Sequence, residues 1–191
     1  MHLEGYKLSN GEIRTADEAY NGKSTLLFAK LIKEIITKNK ISNMLDYDCG
    51  KGFFYNNPSN PYGLQIKSLR DYWDIDIDLY DPCFEENSNF NENKSYDKVI
   101  CVDVLEHIPT DDIDWVLGKL LTNAKKYLFI NIACFPAIAL LPNGKNAHIN
   151  IQPPKWWHEK FLNFQDKLKN IKVICINTLV ENKKTIFPFA I

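Results

Sequence analysis

No Cys-x-x-Cys pair occurs anywhere in the chain. The five cysteines (Cys49, Cys83, Cys101, Cys134 and Cys175) are too far apart in sequence to suggest a sulfur-bound zinc or a dithiol couple. Their number is odd and several lie within apolar runs, which predicts buried, reduced thiols and a cytoplasmic setting. The first 20 residues are polar and carry no signal-peptide core. The longest apolar run, Tyr127 to Leu141, is interrupted by Asn131 and Pro136 and is too short to span a bilayer. Long blocks of lysine or arginine are also missing, and the formal net charge is −1. That argues against a surface built to grip nucleic acid and favours a small-molecule partner. What remains is ordinary for one globular domain: 191 residues, 45% hydrophobic and 25% charged, are enough to bury a core without cross-links.

Read in order, residues 1–23 predict an irregular segment with a short helix, placed where it could act as a lid. Asn21-Gly22-Lys23-Ser24-Thr25 has the look of a phosphate-binding loop. The first glycine of that motif is absent, because position 17 is Asp, and no strand precedes it, so a helix start capped by Ser24 is the better reading. From Ser24 to Lys40 the spacing of Leu26, Leu27, Leu31, Ile32, Ile35 and Ile36 predicts one amphipathic helix. Strands are expected over 42–47, 74–80, 97–103, 127–134, 171–179 and 185–191, with helices over 65–72, 110–123 and 156–169. The acids of 74–80 alternate with Ile75, Ile77 and Leu79, as on a strand at a sheet edge. The segment 82–95 is too short for the roughly 30 residues of a further crossover unit, so a third strand is reduced or missing. The last two strands, joined by 181–184, must be antiparallel. The fold class expected is α/β: a doubly wound, mostly parallel sheet closed by a C-terminal antiparallel hairpin, forming one domain over 1–191.

Two stretches carry chemistry. The first is Asp46-Tyr47-Asp48-Cys49-Gly50-Lys51-Gly52 after the apolar pair Met44-Leu45: a strand, then a glycine turn where the backbone bends and a neighbour comes close. In doubly wound proteins such a turn faces an adenosine-containing ligand, and an acid ending the next strand, here Asp81 before Pro82, accepts from both ribose hydroxyls. The second is Asp97-Lys98-Val99-Ile100-Cys101-Val102-Asp103-Val104-Leu105-Glu106-His107-Ile108. Together, in this order, they resemble the first motif of class I S-adenosylmethionine (SAM) dependent methyltransferases and that family's later Leu-Glu-His-Ile/Val run beyond a strand. The first motif of that family usually reads Asp-x-Gly-Cys-Gly-x-Gly, and its first glycine is Asp48 here. The resemblance implies SAM as cofactor, with Asp46, Asp48, Cys49, Gly50 and Gly52 of the glycine turn against one half of it and Asp81 and Pro82 against the other, at the ribose. It also implies Asp103, Val104 and Leu105 at the methionine end, and Glu106 and His107 opening towards methyl transfer. A carboxylate at Asp48 facing that of SAM at ~4 Å would cost about 4 kcal/mol. Either it turns to the amino or sulfonium group, or the cofactor binds weakly.

The loop after the strand expected over 127–134 reads Asn143-Gly144-Lys145-Asn146-Ala147-His148, followed by Pro153-Pro154-Lys155-Trp156-Trp157. This run looks like a methyltransferase subgroup found in phages and bacteria, and the likeness extends over most of the chain from about residue 15. His107 is the first candidate for assisting deprotonation of the acceptor, His148 the second, and Glu106 completes the catalytic set. The two tryptophans read as helix-docking core. Asp76-Ile77-Asp78 admits a rival reading, the metal site of a glycosyltransferase, but nothing else in the sequence accompanies it, and no metal centre is expected. The function expected is methyl transfer from SAM to an unidentified small molecule; the alternative is a SAM-binding protein that cleaves or sequesters the cofactor.

Overall fold

The computed structural model describes residues 4–91, 93–180 and 183–187. In chain order the strands and helices are β1 (Tyr6–Leu8), β2 (Ile13–Arg14), α1 (Lys23–Leu26), α2 (Ala29–Asn39), β3 (Asn43–Tyr47), α3 (Leu69–Trp73), β4 (Asp76–Tyr80) and β5 (Tyr96–Val102). There follow α4 (Ile113–Asn123), β6 (Ala124–Ala133), β7 (Ala139–Leu140), α5 (Pro154–Leu162), α6 (Gln165–Leu168), β8 (Lys172–Val180) and β9 (Lys183–Phe187). The main sheet has the order β4-β3-β5-β6-β8-β9. Its first five strands are parallel, and β9 runs antiparallel along β8. Among the described residues β4 pairs only with β3, and no strand occupies 82–95. The expected turn at 181–182 and the end of the closing strand at 188–191 lie outside the described residues, as do residues 1–3 of the expected lid.

Alternation along the strands sorts the core into two layers. Leu45, Val99, Cys101, Leu128, Ile130, Val173 and Cys175 face α4 and α5, where Leu117, Leu120, Trp157 and Phe161 cover them. Met44, Ile77, Ile100, Phe129 and Ile176 face the other way, against Ile32 and Ile36 of α2 and Trp73 of α3. Helices on both faces of a parallel sheet leave its strand ends as the place for a ligand. No helix among the described residues is long and apolar enough to cross a membrane.

Three local expectations need correction. Residues 4–23 do not form an irregular stretch with a helix: β1 and β2 make a hairpin, and β7 joins it in a small antiparallel sheet of order β2-β1-β7. The helix expected over 24–40 is two, broken at Leu27 and Phe28. Gly22, at φ 81°, occupies the position before α1; Ser24 caps nothing there and instead donates its hydroxyl to Asp103 Oδ2 at 2.8 Å. The helix expected from Thr110 begins at Ile113, because Thr110 opens a 3-10 turn and its hydroxyl donates to Asn150 Oδ1 at 3.2 Å.

Candidate functional site

A cleft of about 1160 Å³ opens at the carboxyl ends of β3, β4 and β5. The turn after β3 supplies Asp48, Cys49 and Gly50 to its wall, the turn after β4 supplies Asp81 and Pro82, and the turn after β5 supplies Asp103, Val104 and His107. The N-terminal segment closes one side with Tyr6, Arg14, Glu18 and Tyr20, and the 135–149 loop closes another with His148. Of the residues singled out in the sequence, Asp46, Gly52, Leu105 and Glu106 do not line it. Leu105 is fully buried in the core beneath α4.

The glycine turn is held by protein groups. Gly50 N–H donates to Asp81 Oδ2 at 2.8 Å, Lys51 N–H to the Tyr20 carbonyl at 2.7 Å, and Cys49 N–H to the Tyr80 carbonyl at 3.0 Å. Asp81 Oδ1 accepts from Cys83 N–H at 2.8 Å. The acid that the sequence assigns to a ribose is therefore also the brace between two turns. Asp48 stands at φ 61°. That left-handed conformation is what glycine would supply at this place in the motif, and aspartate is one of the few side chains that tolerates it. Gly50 has no such substitute. It sits at φ 61°, and a Cβ there would meet the Tyr20 carbonyl oxygen at 2.2 Å, a backbone atom that has nowhere to go. Gly50→Ala is expected to cost more than about 2 kcal/mol, of which the left-handed backbone supplies about 1–2. Urea denaturation of the variant checks it; an unchanged midpoint would mean that Tyr20 does not ride on this turn.

Asp46 faces away from the cleft. Its Oδ2 accepts from the Tyr55 hydroxyl at 2.5 Å, and burial, aided by Asp48 and Asp81, raises its carboxyl to about 7.

Beyond β5, Asp103 adopts φ 62° and turns its carboxylate back towards Ser24. Glu106 is wholly buried. One of its oxygens accepts from Ala133 N–H at 2.6 Å; the other, Oε2, has no hydrogen-bond partner. Burial, then the charge of Asp103, pushes the Glu106 carboxyl well above the usual range.

Two histidine rings stand edge to face, 4.8 Å apart. His107 Nδ1 lies 2.9 Å from the Ala147 carbonyl and His148 Nδ1 2.5 Å from the Phe135 carbonyl. A carbonyl only accepts, so in both rings Nδ1 carries the proton and the neutral imidazole holds its lone pair on Nε2. Burial, then the neighbouring His148, lowers the pKa of His107 and keeps that ring neutral.

Asn146, which stands in the sequence only as part of the loop run 143–148, fastens the loop that carries His148. Its Oδ1 accepts from Ala137 N–H at 2.9 Å and His148 N–H at 3.0 Å, and its Nδ2 donates to the Ala137 carbonyl at 2.8 Å. Ser24 reads in the sequence only as a helix cap and Tyr20 as an ordinary polar-segment residue, because each acts on a residue at least 30 positions away, and no local pattern records that. The Asp76/Asp78 pair is occupied by protein: Lys94 Nζ lies 3.2 and 2.9 Å from the two carboxylates and the Tyr96 hydroxyl donates to Asp78. Trp157 is fully buried in the core, and Trp156, half-buried, packs against it with ring centroids 4.8 Å apart. No family model, no curated protein and no solved structure matches this chain.

Proposed function

We propose that the chain is a class I methyltransferase that binds SAM in the cleft and passes its methyl group to a small-molecule acceptor. One observation carries the reading: the three turns with motif-like sequences follow neighbouring parallel strands, β4, β3 and β5, and all three border the same cleft. The charges around that cleft suit the ligand. Asp48, Asp81, Asp103 and Glu18 outnumber Arg14 and Lys23, an acidic setting for a compound that bears a sulfonium and an ammonium group. Bound there, SAM would supply an electrophilic methyl group. The chain's own contribution is orientation and exclusion of water, with a proton acceptor in reach: Nε2 of His107 or His148.

Titration with S-adenosylhomocysteine tests the cofactor. Saturable binding is expected for the wild type, weakened about tenfold or more in Asp81→Ala, where two charge-assisted acceptors and the brace of the glycine turn go together. Incubation with SAM then separates transfer from cleavage. S-adenosylhomocysteine should accumulate only when an acceptor is supplied; release of methylthioadenosine without one would replace transfer by cleavage, and absence of binding would remove the cofactor assignment.

A further inference from the structure

The geometry points to a divalent transition-metal site at the inner end of the cleft, formed by a carboxylate oxygen of Asp103, Oε2 of Glu106 and Nε2 of His148. Ligand atoms of these three residues lie within 4.8 Å of one another. Two donors on one ion at ~2.1 Å stand about 3 to 4 Å apart, so side-chain adjustments of about 1 Å would close them on a metal.

Glu106 is the observation that separates this cluster from an ordinary group of surface acids. Its side chain is fully buried, Oε2 has no hydrogen-bond partner, and the Asp103 carboxyl is its charged neighbour. Among the described residues no lysine or arginine forms an ion pair with Glu106 or Asp103. Two carboxyl groups whose oxygens lie within 4.8 Å of each other and of an imidazole nitrogen, one of them buried with an unpartnered oxygen, form a pocket of donor atoms that a divalent ion would fill.

The rest of the site is already arranged for ligation. His148 is 8% exposed, and its Nδ1–H is tied to the Phe135 carbonyl, the outer hydrogen bond that leaves Nε2 available for a metal and fixes the ring. The Ser24 hydroxyl on Asp103 Oδ2 and the Ala133 N–H on Glu106 Oε1 orient the two carboxylates in the same way. One imidazole with two carboxylates suits Mn²⁺, Co²⁺ or Zn²⁺ better than Ca²⁺, which takes six to eight oxygens. Asp103 and His148 border the cleft while Glu106 stands behind them, so the remaining positions of the ion open to water or to an oxygen of a bound substrate. Metal binding does not depend on the methyl-transfer reading.

The test is titration of the full chain with Mn²⁺, followed by electron paramagnetic resonance in the absence of any adenosyl compound. One equivalent is expected to bind. Co²⁺ should occupy the same site with visible absorption bands of a low-symmetry N/O sphere, displaced by Zn²⁺. Glu106→Gln and Asp103→Asn keep the side-chain shape, and asparagine accepts φ 62° as aspartate does. Each should weaken Mn²⁺ binding at least tenfold with the far-ultraviolet circular dichroism of the wild type. A wild type that binds no Mn²⁺ or Co²⁺, or folded variants that bind as well as the wild type, would overturn the site. A chain that binds Mn²⁺ but not S-adenosylhomocysteine would keep the metal and remove only the cofactor.

Discussion

Replacing Lys98 by methionine should stabilise the protein by about 4 kcal/mol at pH 6, an effect large against the 5–15 kcal/mol that holds a domain folded. Lys98 lies in the middle of β5, with its Cα paired to Met44 and Tyr127. Its side chain is fully buried, the nearest ring is Phe129 at 5.3 Å, and Nζ has no hydrogen-bond partner. Burial alone lowers the pKa of the amine from 10.5 to about 7. The folded chain therefore releases a proton that the unfolded chain keeps, and the penalty is complete below pH 7 and gone above 10.5. Stability rises with pH across that window. Methionine has nearly the same reach and volume, needs no partner, and packs well against an aromatic ring. Its advantage should shrink by about 2 kcal/mol between pH 7 and pH 9 as the wild-type lysine loses its proton in the folded state while the unfolded chain keeps it. Urea denaturation of the two proteins at pH 6, 7 and 9 measures this; a gain that ignored pH would mean that the amine reaches water.

Asp46 gives the second large effect, with the opposite slope. Its carboxyl is raised from 3.8 to about 7, so the folded chain keeps a proton that the unfolded chain loses near pH 4. Stability falls as pH climbs from about 4 through 7, by about 4 kcal/mol in total. Asparagine retains an oxygen to accept from the Tyr55 hydroxyl and carries no charge next to Asp48 and Asp81. Asp46→Asn should gain on the wild type by about 3 kcal/mol between pH 5 and pH 8. Denaturation curves that move in parallel over this range would show that the carboxyl is ionised and matched by a cation. From these two residues alone the wild type is weakest near neutral pH.

The elements with strong periodicity were legible in the sequence. β3, β5, α4 and β6 begin and end within about three residues of where the alternation of apolar side chains puts them. The edge position of β4 also follows from its alternating acids, since only a strand with one neighbour tolerates Asp76 and Asp78 on its outer face. What stayed hidden depends on distant partners. β1 and β2 are too short and too polar to declare themselves; they pair with each other, and β1 also pairs with β7, some 130 residues further on. Lys98 reads as an ordinary polar position in a strand, because burial on both faces is a property of the whole sheet. Glycines at 50 and 52 announced a close approach, and at Gly50 the approaching atom is the Tyr20 carbonyl, part of the same chain. The serine that reads as a helix cap reaches an aspartate 79 positions away, and nothing in its neighbours says so.

An open β-strand is an invitation to stack with a second copy, and β4 is furnished against it. Arg70 donates to the Ile77 carbonyl at 2.7 Å, Lys94 spreads over Asp76 and Asp78, and the Asp81 N–H is taken by the Asn87 carbonyl at 2.9 Å. A would-be partner strand would have to expel a guanidinium and an ammonium before forming a ladder. With no further strand beside β4 among the described residues, the sheet still has no sticky margin on this side, and concentrated solutions should be spared fibre-like growth along this border.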